Sequence, residues 1–303
     1  MEWAPVAMTV NGYADPRTMT IAQHADGLCR QFGETVRLLH ALFPQVSFYG
    51  AGGGSPEKGL EYAARIIQLG EETNDPVALM IGHRFAGFFL LWIGRPEDAA
   101  SALNKAVNYA NRVSAEGLCE QFGQDPETTA LVLLGSVKQL LGAVDDGERQ
   151  MQTAMSKARQ LAHPLTLAYV LRHYAIFASL QNNYPLVDKL SEELTGICLK
   201  YQIRQWHNLG PLTSAWSRFK LHQDSDAIPT LLASLAQHRD AGFPRNMPFY
   251  LMLVADVLAN SCRADQAKEL IDEAYSLMQD MNELWIAPYL SEMVDRVNAL
   301  ANQ

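Results

Sequence analysis

A period close to forty residues runs through the chain and leaves it few folds to adopt. Gly94, Ala99, Leu103 and Ala106 are matched in kind by Gly142, Gly147, Met151 and Ala154, and again by Cys262, Ala267, Ile271 and Ala274. Further copies fall at Gly54, Gly59 and Ala63, near Val187, and at Ala227 and Leu231. The anchors at positions 59, 99, 147, 187, 227 and 267 are separated by 40, 48, 40, 40 and 40 residues. Each copy reads as a helix-length stretch, a turn signal and a second helix-length stretch. Self-similarity at this spacing marks helical hairpins stacked on one another, because one hairpin cannot bury its apolar face alone. The small residues at fixed offsets have a steric reason. Antiparallel helices approach to about 8–10 Å only where the side chains at the contact allow it, so Gly87 should face Ala99, and Gly135 should face Gly147, across their hairpins.

Punctuation along the chain agrees with this reading. Asp-Pro or Ser-Pro pairs at 15–16, 55–56, 75–76 and 125–126 supply a capping side chain and a first-turn proline. Gly33, Gly94, Gly142 and Gly242 supply stops. No run alternates apolar and polar residues long enough for a strand. The expected fold is all-α: an α-α superhelix, or solenoid, of about six hairpins plus terminal helices. First helices would line a concave face and second helices a convex one. One domain should cover residues 1–303, with an irregular arm over 1–14, a partial first repeat over 15–33 and a capping helix over 282–303. Pro44 should kink or shorten the helix that follows Gly33, and Pro288 should be the weak point of the last one.

The net charge of −9 with no basic run argues against a nucleic-acid partner. The most apolar stretch, Phe85 to Ile93, falls well short of the roughly 20 residues that cross a bilayer. With no export signal at the start, a cytoplasmic location is expected, and Cys29, Cys119, Cys198 and Cys262 should be free, buried thiols.

Chemistry-bearing motifs are sparse. Gly50 to Gly59 resembles a phosphate loop, but Glu57 precedes Lys58 and Gly59 follows it, so an inter-helix turn is expected. The eight histidines show no metal-ligand spacing. Asp145-Asp146 and Asp224-Ser225-Asp226 fall at helix starts, where acids complement the helix dipole. No nucleophile stands in a recognisable motif with a base. No catalytic residue, cofactor or metal is expected.

Several phrases narrow the comparison: Leu91-Trp92-Ile93-Gly94-Arg95-Pro96-Glu97-Asp98-Ala99, Phe122-Gly123-Gln124-Asp125-Pro126, and Ala154 to Pro164. They resemble the tetratricopeptide-like helical region that follows the ATPase module in large bacterial signalling proteins, including adenylate or guanylate cyclases and LuxR-type activators. The resemblance covers about Asp15 to Leu300. It implies a non-catalytic interaction or sensing module that binds a peptide, protein segment or small effector on its concave face. A structural or oligomerising scaffold, self-association included, is the alternative. Nothing matches the cyclase, ATPase or DNA-binding parts of those regulators. The usual inward positions of first helices then select Arg84, Phe88, Tyr169, Arg172, Trp216, Phe249 and Met252 as the groove. Such an aromatic and arginine mixture suits partner capture.

Overall fold

A computed structural model describes residues 15–301; the proposed arm over 1–14 lies outside the described residues. Among those residues the chain is all-α, with fifteen α-helices and no strand. Its contacts gather into two compact units, residues 1–170 and 171–303. The first unit carries α1 (Pro16–Phe32), α2 (Thr35–Gly50), α3 (Pro56–Thr73), α4 (Pro76–Trp92), α5 (Pro96–Ala110), α6 (Leu118–Phe122), α7 (Pro126–Leu140) and α8 (Val144–Leu161). Helix α9 (Pro164–Leu180) contains the division. The second unit carries α10 (Tyr184–Tyr201), α11 (Leu209–His222), α12 (Ala227–Asp240), α13 (Met247–Asn260), α14 (Ala264–Asp280) and α15 (Ala287–Ala301).

The caps behave as their chemistry requires. Asp15, Asp75 and Asp125 accept the backbone N–H groups of Arg17, Val77 and Thr128 at 2.8, 2.8 and 2.7 Å. Each is followed by proline in the first turn, where no N–H is needed. Ser55 accepts from Lys58 N at 3.4 Å, and the Lys58 ammonium pairs with Glu61 at 2.8 Å. The glycine-rich segment is therefore a turn and a cap.

The forty-residue repeat becomes a buried stripe. From each anchor the offsets 0, 4, 7 and 11 lie on one helix face, and the side chains there are buried. They are Gly147, Met151, Ala154 and Ala158 on α8, Val187, Ser191, Leu194 and Cys198 on α10, and Ala267, Ile271, Ala274 and Met278 on α14. On α12 the same offsets give Ala227, Leu231, Ser234 and His238. The partner helices α4, α7 and α13 are buried nearly all round.

Close approach within each hairpin explains the glycines. A Cβ on Gly87 would sit 2.4 Å from Leu103 Cγ and 3.2 Å from the Ala99 carbonyl. One on Gly147 would sit 2.7 Å from the Gly135 carbonyl. Both expected facing pairs are present. Gly70 meets Leu79 while Gly82 meets Ile67 and Ala63, so α3 and α4 run antiparallel. Packing then proceeds to near neighbours. In the first unit α5 packs on α7 and α4 on α7; in the second α14 packs on α15 and α11 on α13. Within each unit this is the pattern of successive hairpins.

Local differences from expectation have physical reasons. The 48-residue interval holds α6, bracketed by Gly117 and Gly123 at φ +76° and +69°. Its Phe122 is buried edge-on against Phe43, with centroids 5.0 Å apart. Helix α2 continues through Pro44 to Gly50 without being shortened. Between α10 and α11 a 3-10 turn ends at Trp206, and α11 begins at Leu209. Near the C-terminus a 3-10 turn over Leu284–Ile286 precedes α15, so Pro288 falls in a first turn, where it is tolerated. All four cysteines are free, but only Cys29 and Cys198 are buried. Cys119 is half-buried, and Cys262 is exposed because it occupies the left-handed turn position between α13 and α14, at φ +58°.

Candidate functional site

The seven expected groove residues are all in the interior, with exposures between 0 and 7%. Arg84 lies over the Phe85 ring at 4.4 Å and the Tyr169 ring at 5.6 Å. Phe88 packs on Phe89 and Trp92, with centroids 5.3 and 4.9 Å apart. Met252 is buried in α13. Trp216 donates its Nε1–H to Asp256 Oδ2 at 3.1 Å and meets Tyr184 edge-on. As arranged here, these side chains pack between helices and offer no open hot-spot surface. Asp256 also pairs with Lys220 at 3.0 Å and Arg296 at 2.9 Å and accepts from Asn260 at 3.1 Å. A buried carboxylate so fully bonded ties α11, α13 and α15 together.

Two of the seven, Arg172 and Phe249, border a more unusual place. Arg172 Nη2 donates to His173 Nε2 at 2.9 Å and lies over the Trp206 ring at 5.4 Å. Guanidinium nitrogens only donate, so Nε2 of His173 accepts and the ring proton sits on Nδ1. Phe249 packs against Tyr250 and Trp285. Across from them Glu283, wholly buried, receives Arg245 Nη1 at 2.8 Å and the backbone N–H of Asn246 at 3.2 Å. Burial pushes the Glu283 carboxyl above its ordinary range, and the guanidinium groups of Arg245 and Arg172 pull against it. Burial likewise raises the Tyr250 phenol, with Arg172 opposing. The His238 ring meets Tyr250 edge-on, with centroids 5.6 Å apart. Burial first, and the Arg172 charge second, lower its pKa to about 4, so the ring is neutral at pH 7.

The positions of these groups follow from local structure. Asn246 holds the left-handed N-cap of α13 at φ +65°, a conformation asparagine tolerates. Glu283 opens the 3-10 turn after α14. His238 occupies the last slot of the α12 stripe, where α8, α10 and α14 place Ala158, Cys198 and Met278. Of the residues in this cluster, Arg172 and Phe249 belong to the seven expected at the groove. The one sequence signal for the rest was that break in an apolar stripe.

No family model matches the chain, and no curated protein is similar to it in sequence. No helix among the described residues is long and apolar enough to cross a membrane.

Proposed function

We propose that the chain is a non-catalytic helical-repeat interaction module that docks a protein partner, of the kind attached to bacterial signalling ATPases and cyclases. The observation that carries this reading is an apolar stripe left in solvent on the first hairpin. Leu28 and Phe32 follow Ile21 by seven and eleven residues on one face of α1, and Val36 lies in the first turn of α2. Phe32 is 71% and Val36 84% exposed. An aligned row of large apolar side chains is a feature of docking surfaces rather than of inert ones. The buried seven, by contrast, support packing rather than capture.

The same stripe also supports the scaffold reading, in which two copies of the chain cover it on one another through a two-fold contact. Light scattering over a range of concentrations separates the two. The double variant Phe32→Glu, Val36→Glu is expected to lose partner recovery in a pull-down while its circular dichroism stays helical; unchanged recovery rejects the stripe as the docking face. A mass that doubles with concentration in the parent chain, and stays single in the variant, assigns the stripe to self-association instead.

A further inference from the structure

We propose that the buried polar cluster of the second unit is a binding site for a small oxyanion, a carboxylate or phosphate group, held by Asn246, His238 and the Arg172 guanidinium. This goes beyond docking on the first hairpin and is independent of it. The starting observation is the Asn246 side chain. It is 0% exposed, yet neither Nδ2 nor Oδ1 has a hydrogen-bond partner. Its backbone N–H is already committed to Glu283. A glycine would take the same left-handed backbone with no amide to satisfy. Burying both ends of an amide without partners is costly, and native interiors rarely do it.

A second unsatisfied group lies in the same cluster. His238 is 2% exposed, and its Nε2 also lacks a partner. The two are linked through Tyr250, which stacks edge-on with His238 and whose N–H bonds the Asn246 carbonyl one turn earlier at 3.2 Å. Charge gives the ligand its sign. The Arg172 guanidinium acts on His238, Tyr250 and Glu283 alike, and Arg245 pairs with Glu283, so two guanidinium groups stand in the cluster. Glu283 is engaged by Arg245 and the Asn246 backbone. An oxyanion would accept from Arg172, from Asn246 Nδ2 and, once the ring carries its proton there, from His238 Nε2. Charge-assisted bonds of this kind are the strong ones. The surroundings, Phe249 and Tyr250 among them, are almost wholly buried, which restricts the ligand to a small one.

The test is thermal unfolding of the whole chain in millimolar inorganic phosphate or in malonate, against sodium chloride of equal ionic strength. The expected result is a saturable rise in Tm with at least one of the two anions, by about 5 °C at a hundredfold excess over Kd. Phosphate alone identifies a phosphate site; malonate alone identifies a carboxylate site. Asn246→Leu and His238→Phe should abolish the rise, and the surface control Lys58→Gln should keep it. If Asn246→Leu does not fold, His238→Phe and Arg172→Lys carry the comparison. No rise with either anion, or an equal rise in parent and variants as general salting-out gives, overturns the proposal. So does a crystal structure grown in phosphate and malonate with only water on Asn246 and His238. None of these results touches the Phe32 and Val36 pull-down, so the two readings fail separately.

Discussion

Gly147 and Gly196 both sit inside helices, and their surroundings give them opposite roles. A Cβ on Gly147 would fall 2.7 Å from the Gly135 carbonyl, a backbone atom that cannot swing aside, whereas one on Gly196 would meet nothing within 4 Å. Helix propensity favours alanine over glycine by about 1 kcal/mol at either site. At Gly147 overpacking of about 1–3 kcal/mol outweighs it, so Gly147→Ala should lower the urea midpoint. Gly196→Ala should raise it, by about 0.5–1 kcal/mol of stability. Equal shifts in one direction would mean that close approach is not what holds glycine at 147. His238 gives a second prediction at this scale. Its pKa of about 4 in the fold lies below the ordinary histidine value, so the native state prefers the neutral ring. The stability this contributes is complete above about pH 6.5 and is lost as pH falls towards 4, amounting to about 3 kcal/mol. Urea midpoints measured through that window should therefore fall with acid, and His238→Phe should remove much of the slope. His83, also lowered to about 4 by burial, accounts for part of what remains.

Among elements, the tie between α11, α13 and α15 is the most testable. Asp256 receives Trp216, Lys220 and Arg296 from the two flanking helices, and removing it leaves a buried ammonium and an indole N–H without their acceptor. Asp256→Leu should cost about 3–5 kcal/mol, read as a lower Tm with faster amide exchange in α15; a loss under about 1 kcal/mol, within the range of exposed ion pairs, would show that the tie is dispensable. Elements also mark where the sequence was readable. The second helices alternate between a buried stripe and a wet face, so period and anchor are legible from sequence alone in Gly147, Met151, Ala154 and Ala158. The first helices are apolar on nearly every side, and periodicity cannot choose a face for Phe88, Phe249 or Met252. Arg84 and Arg172 read as groove residues because they hold inward first-helix positions and arginine is frequent at binding hot spots; aromatic rings stacked under both guanidinium groups make burial tolerable. Glu283 and Asn246 stand at the starts of their elements, where a polar residue is ordinary. Their bond spans 37 positions, and no local rule reaches that far.

At the scale of the whole molecule, the successive packing within each unit has a thermodynamic consequence. Where each helix touches the next and the one after, stability is a sum of local and nearest-neighbour contributions rather than one all-or-none quantity. In the first unit α8 packs on α7, and α7 packs on α5 and on α4. Damage at α8 should therefore travel along that order and weaken with distance. Gly147→Leu forces a branched side chain against the Gly135 carbonyl and Gln139, separating α7 from α8 while leaving the α1–α2 hairpin unaltered in sequence and contacts. Native-state hydrogen exchange should show the largest loss of protection in α7 and α8, a smaller loss in α4 and α5, and least change in α1 and α2. A globular core would respond differently, because a wedge at its centre lowers the free energy of every amide that exchanges through global opening. Equal loss of protection in all helices of the first unit would therefore reject the repeat-like energetics, even with every helix in place.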